Sequence, residues 1–237
     1  VEGDYGQAFA LSRAAIGKWG FYNRNAGVNP ILVEGKKTVA LEIAEQLIFR
    51  PTDWVAVSVG DGCTVAGVYH GFRDLRALGM IDQVPRILGV QSTGCAPFVE
   101  AVRAGGELQP AEEGTLADSI AVGQPRNPVK ALRAVKESEG AWLAVEDEEI
   151  LAALALLGRT EGIFGEPAGV CGFAGVRAAV AQGIIRAGES VTVICTGNGL
   201  KDIENALHAA GEPFSCPPDL AALEQSGRMT RAAGMGE

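Results

Sequence analysis

The residues of this 237-residue chain best suited to chemistry lie in two short glycine-bearing turns. The first, Gly60-Asp61-Gly62-Cys63-Thr64, follows the apolar run Trp54 to Val59 and precedes a helical pattern from Val65 to Leu78. In a strand, turn, helix order, the N–H groups of the turn converge at the positive end of the helix dipole, and glycine lets a ligand approach the backbone. An anion suits such a turn, and a phosphate group fits best. A tight strand-to-helix connection without a ligand has the same sequence, and the turn alone does not separate the two readings. The second turn, Thr196-Gly197-Asn198-Gly199, ends the apolar run Ser190 to Cys195. Ligands of open α/β sheets sit outside the carboxyl ends of the strands, so two such turns can touch one molecule from two sides.

Other reactive groups are sparse. Five cysteines (Cys63, Cys95, Cys171, Cys195, Cys216) form no CxxC pair, and the only histidines are His70 and His208, which indicates neither a disulfide framework nor a metal site. Cys171 and Cys195 sit in apolar segments and read as small hydrophobes in a reducing cytoplasm. Cys63 offers the turn a backbone N–H that any residue but proline supplies, so it reads as a packing cysteine rather than a catalytic thiol. The net charge of −9, with basic residues scattered among acidic ones, leaves no continuous positive surface for nucleic acid or an anionic membrane. No apolar segment approaches the roughly 18 to 20 residues that span a bilayer. A soluble protein acting on a small molecule is the class that remains.

The elements that must hold the two turns alternate along the chain. Asp4 caps a first helix over about 6 to 18, Asn23 to Val33 reads as a loop, and a second helix follows with Val39, Ile43, Ala44 and Leu47 at helical spacing. Arg86 to Val90 is a second buried strand, Ala96 to Ala104 a helix, and Gly105 to Thr115 a polar loop. A helix from Asn127 to about Ser138, a short strand Trp142 to Val145, a helix 148 to 158 capped by Asp147, and a small-residue helix 168 to 182 lead to the strand Ser190 to Cys195. The tail beyond Leu207 is expected to form a peripheral helix. Unbroken apolar runs rather than alternation inside the strands predict an α/β fold, an open parallel sheet with helices on both faces.

Seven segments, in order, carry a resemblance: EGKKTVALEIAEQL (34 to 47), VSVGDGCTVAG (57 to 67), LGVQSTGCAP (88 to 97), TLADSIAVGQP (115 to 125), EDEEIL (146 to 151), EGIFGEPAG (161 to 169) and TGNGLKD (196 to 202). The chain resembles threonine synthase, among the pyridoxal-phosphate enzymes of the tryptophan-synthase β-subunit fold. The resemblance implies that 23–237 is the large cofactor-binding domain and 1–22 a remnant of the smaller one. It implies pyridoxal 5'-phosphate as cofactor, its phosphate held by Gly60, Asp61, Gly62, Cys63 and Thr64, and its pyridine nitrogen faced by the hydroxyl of Thr196. A neutral partner there tempers the ring as an electron sink. The residues alone leave a second use for that hydroxyl, a bond within its own turn. The implied activity is conversion of O-phosphohomoserine and water to threonine and phosphate by a cytoplasmic homodimer.

The chain departs from the pattern in three places. The lysine that forms the family's Schiff base lies upstream of the glycine loop, in a segment this chain does not contain, and Lys36, Lys37 and Lys201 read as solvated charges rather than substitutes. The chain opens on Val1 and runs at once into an amphipathic helix, so a preceding segment is expected. Leu32 occupies the place where threonine synthases commonly carry a phosphate-binding arginine, which leucine cannot replace. Finally, Gly169-Val170 and Cys63 replace residues common in the family. A serine or threonine dehydratase-like β-elimination, or a catalytically silent subunit of the same fold, therefore stands beside the threonine synthase reading.

Overall fold

The apolar runs form strands and the periodic segments form the helices that connect them. A computed structural model describes residues 1–225. The order is α1 (Tyr5–Trp19), α2 (Pro30–Gly35), α3 (Lys37–Gln46), β1 (Trp54–Ser58), α4 (Cys63–Ala77), β2 (Arg86–Ser92), α5 (Pro97–Ala104), α6 (Pro128–Glu137), β3 (Ala141–Val145), α7 (Asp147–Glu161), α8 (Pro167–Ala181), β4 (Val191–Ile194), α9 (Ile203–Ala210) and α10 (Leu220–Gln225). Of the tail beyond Leu207, α10 is helical and 226–237 lies outside the described residues, while α9, which starts ahead of Leu207, is not among the expected helices.

The strands lie in the order β3-β2-β1-β4, and every neighbouring pair is parallel. Side chains alternate across the pleat, so Val55 and Val57 join Val68, Phe72, Phe98 and Ala131 on one face. Trp54 and Ala56 join Ile150, Leu154, Val170 and Ala174 on the other. The sheet is covered on both faces, as its continuous apolar runs require. From β1 the chain steps outward to β2 and β3, then returns through α7 and α8 to lay β4 on the opposite side of β1. Strand order reverses at β1, which makes the crevice beyond the carboxyl ends of β1 and β4 the ligand position of an open sheet.

Helix α8 lies close beneath this crevice because its sequence is rich in glycine. The Gly172 N–H donates to the Ser58 hydroxyl at 2.9 Å, and a Cβ on Gly175 would fall within the Val90 side chain. At its start a Cβ on Gly169 would stand 2.7 Å from the Gly197 nitrogen. Each glycine is a contact with a different part of the strand layer.

Three local expectations are corrected. Asn23 to Val33 is not loop throughout: Pro30 opens α2, and the Asn29 side chain accepts from the Ile31 N–H at 3.1 Å. Proline at the first helical position after an Asn cap forfeits no intrahelical bond. The cap of α7 is Glu146 rather than Asp147. Asp147 instead accepts from the Ser92 hydroxyl at 2.7 Å, the Thr115 hydroxyl at 2.6 Å and the Leu116 N–H at 2.8 Å. The segment after Thr115 is thereby tied to the end of β2. Cys195 is exposed just beyond β4, whereas Cys171 is fully buried, so only the latter behaves as the small hydrophobe expected. Asp4 does cap α1, accepting from the Gln7 N–H at 2.7 Å. No residue of α1 is buried.

Gly175→Ala tests the packing of α8. Alanine gains about 1 kcal/mol of helix propensity, but forcing a methyl into a filled site costs roughly 1–3 kcal/mol. Net destabilisation is expected, read as a lower urea midpoint, and Val90→Ala in the same chain should recover part of it. A raised midpoint for Gly175→Ala alone would contradict the close packing.

Candidate active site

Beyond β1 the chain stays paired for one residue, the Val59 N–H donating to Val90 O at 2.8 Å, and then turns through Gly60, Asp61 and Gly62 into α4. Gly62 has φ +83°, and a Cβ there would stand 2.7 Å from Ala131 Cβ and 3.0 Å from Phe98 Cζ. The left-handed backbone and the neighbouring α6 therefore demand glycine before any ligand does. Helix α4 starts at Cys63 without a side-chain cap. Among the described residues, no acceptor meets the N–H groups of Cys63, Thr64 and Val65, and none meets the Thr64 hydroxyl. Free N–H donors at the positive end of a fifteen-residue helix are the chemistry that suits an anion.

These donors open on a cavity of about 700 Å³ at the carboxyl ends of β1 and β4. Thr196, Ser119 and Ala168 line the same cavity. Among the described residues the Thr196 hydroxyl has no hydrogen-bond partner, so the alternative bond within its own turn is not made. The rest of the second turn serves chain packing. The Glu166 N–H donates to Gly197 O at 3.0 Å and the Gly199 N–H to Phe164 O at 2.9 Å. A Cβ on Gly197 would overlap the Glu166 carboxylate, and one on Gly199 the Phe164 ring. Of Thr196-Gly197-Asn198-Gly199, only Thr196 lines the cavity.

The three lysines singled out in the sequence have different fates. Lys37 is held by both Glu34 and Asp74, and these carboxylates raise its pKa while Lys37 lowers theirs. Lys201 lies 3.3 Å from the buried Glu166 carboxylate and donates to the Ser119 hydroxyl at 2.7 Å. Neither is simply solvated. Lys36 lines the cavity, as does Arg24, and neither has an ion pair among the described residues. Gly67 places Lys36 there: a Cβ on Gly67 would stand 2.6 Å from Lys36 Cβ, so only glycine lets the start of α3 approach α4 this closely. Leu32 is not part of the cavity wall.

Several contributors were not singled out in the sequence. Ser119 and Asp118 reach the cavity on the segment that Asp147 anchors, and the Ser119 hydroxyl donates to Glu166, just ahead of α8, at 3.4 Å. Both lie in motifs read for resemblance alone, TLADSI and EGIFGEPAG. Arg126 lies 3.4 Å from Asp61 in the glycine turn. Cys63 is 5% exposed, and burial, with the Asp61 charge second, pushes its thiol up to about 11.

A family model for pyridoxal-phosphate dependent enzymes matches residues 1–197. The threonine synthase of Methanosarcina acetivorans is 37% identical over 228 residues, covering 95% of this chain and 56% of that protein. The threonine synthase of Mycobacterium tuberculosis is 36% identical over 228 residues, covering 96% of this chain and 61% of that protein. The chain thus spans little more than half the length of these relatives. Among solved structures, O-ureido-L-serine synthase is similar with a TM-score of 0.70 at 15% identity, covering 93% of this chain and 62% of that one. A fungal L-serine ammonia-lyase from Rhizomucor miehei is similar with a TM-score of 0.62 at 22% identity, covering 72% of this chain and 53% of that one. At those identities the likeness establishes the fold.

The state of Cys63 is directly measurable. At pH 8 it should react only slowly with iodoacetamide, and its rate should climb about tenfold per pH unit towards pH 11. Rapid labelling of Cys63 at pH 7, located by peptide mapping, would reveal a thiolate and reopen a catalytic role.

Proposed function

The chain belongs to the pyridoxal-phosphate dependent enzyme family, and from that premise we propose that it is the larger, cofactor-binding unit of a threonine synthase-like lyase. The overall reaction is O-phosphohomoserine plus water to threonine plus phosphate. One observation carries the reading: the free first turn of α4 and the free hydroxyl of Thr196 face a single cavity of about 700 Å³.

That donor set fits pyridoxal 5'-phosphate. Unpaired N–H groups of Cys63, Thr64 and Val65 with the Thr64 hydroxyl, preceded by Gly60, Asp61 and Gly62, suit a phosphate. The Thr196 hydroxyl, on the same cavity, suits a ring nitrogen and supplies no charge to it. When bound, the cofactor supplies an electron sink for the amino acid's α-carbon. The chain's own contribution is to fix the group at its two ends and to wall the space between with Ser119 and Ala168. No residue here is assigned as the cofactor's covalent anchor: Lys37 and Lys201 are held by carboxylates, and Lys36 is proposed for the substrate's phosphate instead.

Arg24 and Lys36 are proposed to receive the substrate's phosphate, the task that Leu32 cannot perform. A serine or threonine dehydratase-like elimination needs no such seat, so these two cations favour the threonine synthase reading over it. Residues 1–22 are proposed to belong to the smaller domain, which is supported by the lack of buried residues in α1 and by the exposure of Trp19, Phe21 and Tyr22. A reducing cytoplasm, supported by five free cysteines, and a homodimer complete the proposal.

In ¹⁵N-labelled chain, pyridoxal phosphate should move the amide resonances of 61–65 most strongly. Thr64→Val should weaken binding about tenfold, the worth of a hydrogen bond to a charged group, without lowering the unfolding midpoint. With cofactor bound, O-phosphohomoserine should bind more tightly than homoserine, and Arg24→Met with Lys36→Met should abolish that preference. Unmoved amides at 61–65 would place the phosphate elsewhere, and a preference that survives the double substitution would remove Arg24 and Lys36 from the substrate site.

A further inference from the structure

An aspartate in the middle of an anion-binding turn is an electrostatic contradiction. Asp61 stands between the two glycines that lead into α4, where its carboxylate repels any phosphate on the adjacent N–H groups. Its side chain, however, is fully engaged from the other side. Asp61 Oδ1 accepts from the Arg126 backbone N–H at 3.1 Å and lies 3.4 Å from Arg126 Nη1. Oδ2 accepts from the Tyr5 hydroxyl at 2.7 Å. The ion pair is largely withdrawn from solvent, with side-chain exposures of 15% for Arg126 and 18% for Asp61.

Arg126 also holds α1. Its guanidinium lies 4.1 Å from the Phe9 ring centroid and 4.6 Å from that of Tyr5, so two rings of the helix, one turn apart, face one cation. A Cβ on Gly27 would stand 2.6 Å from Arg126 Cβ, which shows how tightly the stem of the arginine is seated. These contacts matter because α1 has no buried residue to anchor it otherwise. Yet Gly3, Asp4, Tyr5 and Ala8 line the cavity beside the glycine turn. The Tyr5 phenol, pushed up to about 12 mainly by burial and then by the bond to Asp61, stays a donor across the ordinary pH range.

We infer that Arg126 is a positioning residue that couples anion binding to the seating of α1, by neutralising Asp61 and stacking on Tyr5 and Phe9 at once. The inference rests on the cofactor reading above. An anion on the turn strengthens the demand for a cation against Asp61, and the same cation holds α1 across the cavity. Arg126 itself is not on the cavity wall, so it acts through Asp61 and α1 rather than by touching the ligand.

The test uses inorganic phosphate and pyridoxal phosphate as probes on the chain, with affinity read by calorimetry and the protection of 5–19 by amide hydrogen exchange. Arg126→Met should weaken both probes about tenfold and speed exchange in α1. Asp61→Asn added to Arg126→Met should restore affinity to within about threefold of the parent, because the charge that needed neutralising is gone. Phosphate should slow exchange across α1 in the parent chain. Tyr5→Phe, which removes one hydroxyl from a partly exposed ring, should loosen α1 and weaken phosphate a few-fold with the fold intact. Unchanged affinity in Arg126→Met, failure of Asp61→Asn to rescue, or α1 exchange indifferent to phosphate would each overturn the coupling while leaving the cofactor site standing. A parent chain that binds neither probe would overturn the cofactor reading and this inference with it.

Discussion

Strand β1 hydrogen-bonds to β2 on one side and to β4 on the other, and the cavity exists only because of that double pairing. Trp54 stands level with Arg86 and with Val191, so the two neighbours run alongside β1 from the same starting height. Val57 is still in register with Ile194, which brings the ends of β1 and β4 out together. A turn that leaves β1 and a turn that leaves β4 must then emerge side by side on the same rim. The unsatisfied donors of α4 and the hydroxyl of Thr196 owe their proximity to this register and to nothing nearer in the chain.

Holding the second turn against the first needs a close-packed support, and α8 supplies it at the expense of side chains. Gly172 meets Ser58 under β1, Gly175 meets Val90 under β2, and Gly169 meets the backbone at Gly197. A helix this close delivers Glu166, just ahead of its first residue, directly beneath the Thr196 turn. A carboxylate only 7% exposed is costly without a partner, and Lys201 and Ser119 provide one. The ion pair therefore joins three separate segments, those of Ser119, Glu166 and Lys201, and of these Ser119 lines the cavity. Packing and charge are satisfied by the same arrangement.

What could be read from the sequence was whatever is local. The apolar run before Gly60, the glycine turn and the helix after it are consecutive, and their geometry follows from hydrogen-bond and steric rules over a dozen residues. The parallel sheet followed from uninterrupted apolar strands. Helix α2 was missed although Asn29-Pro30 is a helix-opening signal, because Gly27, Val28 and Asn29 dilute it into a loop composition. The α7 cap was misassigned because four acids in succession, Glu146, Asp147, Glu148 and Glu149, are hard to tell apart by propensity. Only the tertiary demand of Ser92, Thr115 and Leu116 decides that Asp147 turns inward. The second turn was read too generously for the same reason. Its glycines are required by Glu166 and Phe164, which stand far earlier in the chain. Pairings such as Arg126 with Asp61 leave no periodic trace at all.

The proposed anion site lies in an acidic chain, and the charges at the cavity show how the two are compatible. The net charge of −9 describes the far field, which governs encounter and solubility. Binding depends on what faces the guest within a few ångströms, where the α4 dipole and unpaired N–H groups act with little solvent between. Of the acids on the wall, Asp4 is spent on capping α1, and Asp61 is taken up by Arg126 and Tyr5. Asp118 has no ion pair among the described residues, and against it stand Arg24 and Lys36. With Asp61 paired, the formal charges on the wall cancel, Asp4 and Asp118 against Arg24 and Lys36, and the α4 dipole with its unpaired N–H groups tips the local balance positive although the chain is negative. It is reached by assigning partners to carboxylates rather than by removing them, which leaves the site's charge dependent on contacts that a movement of α1 can make or break.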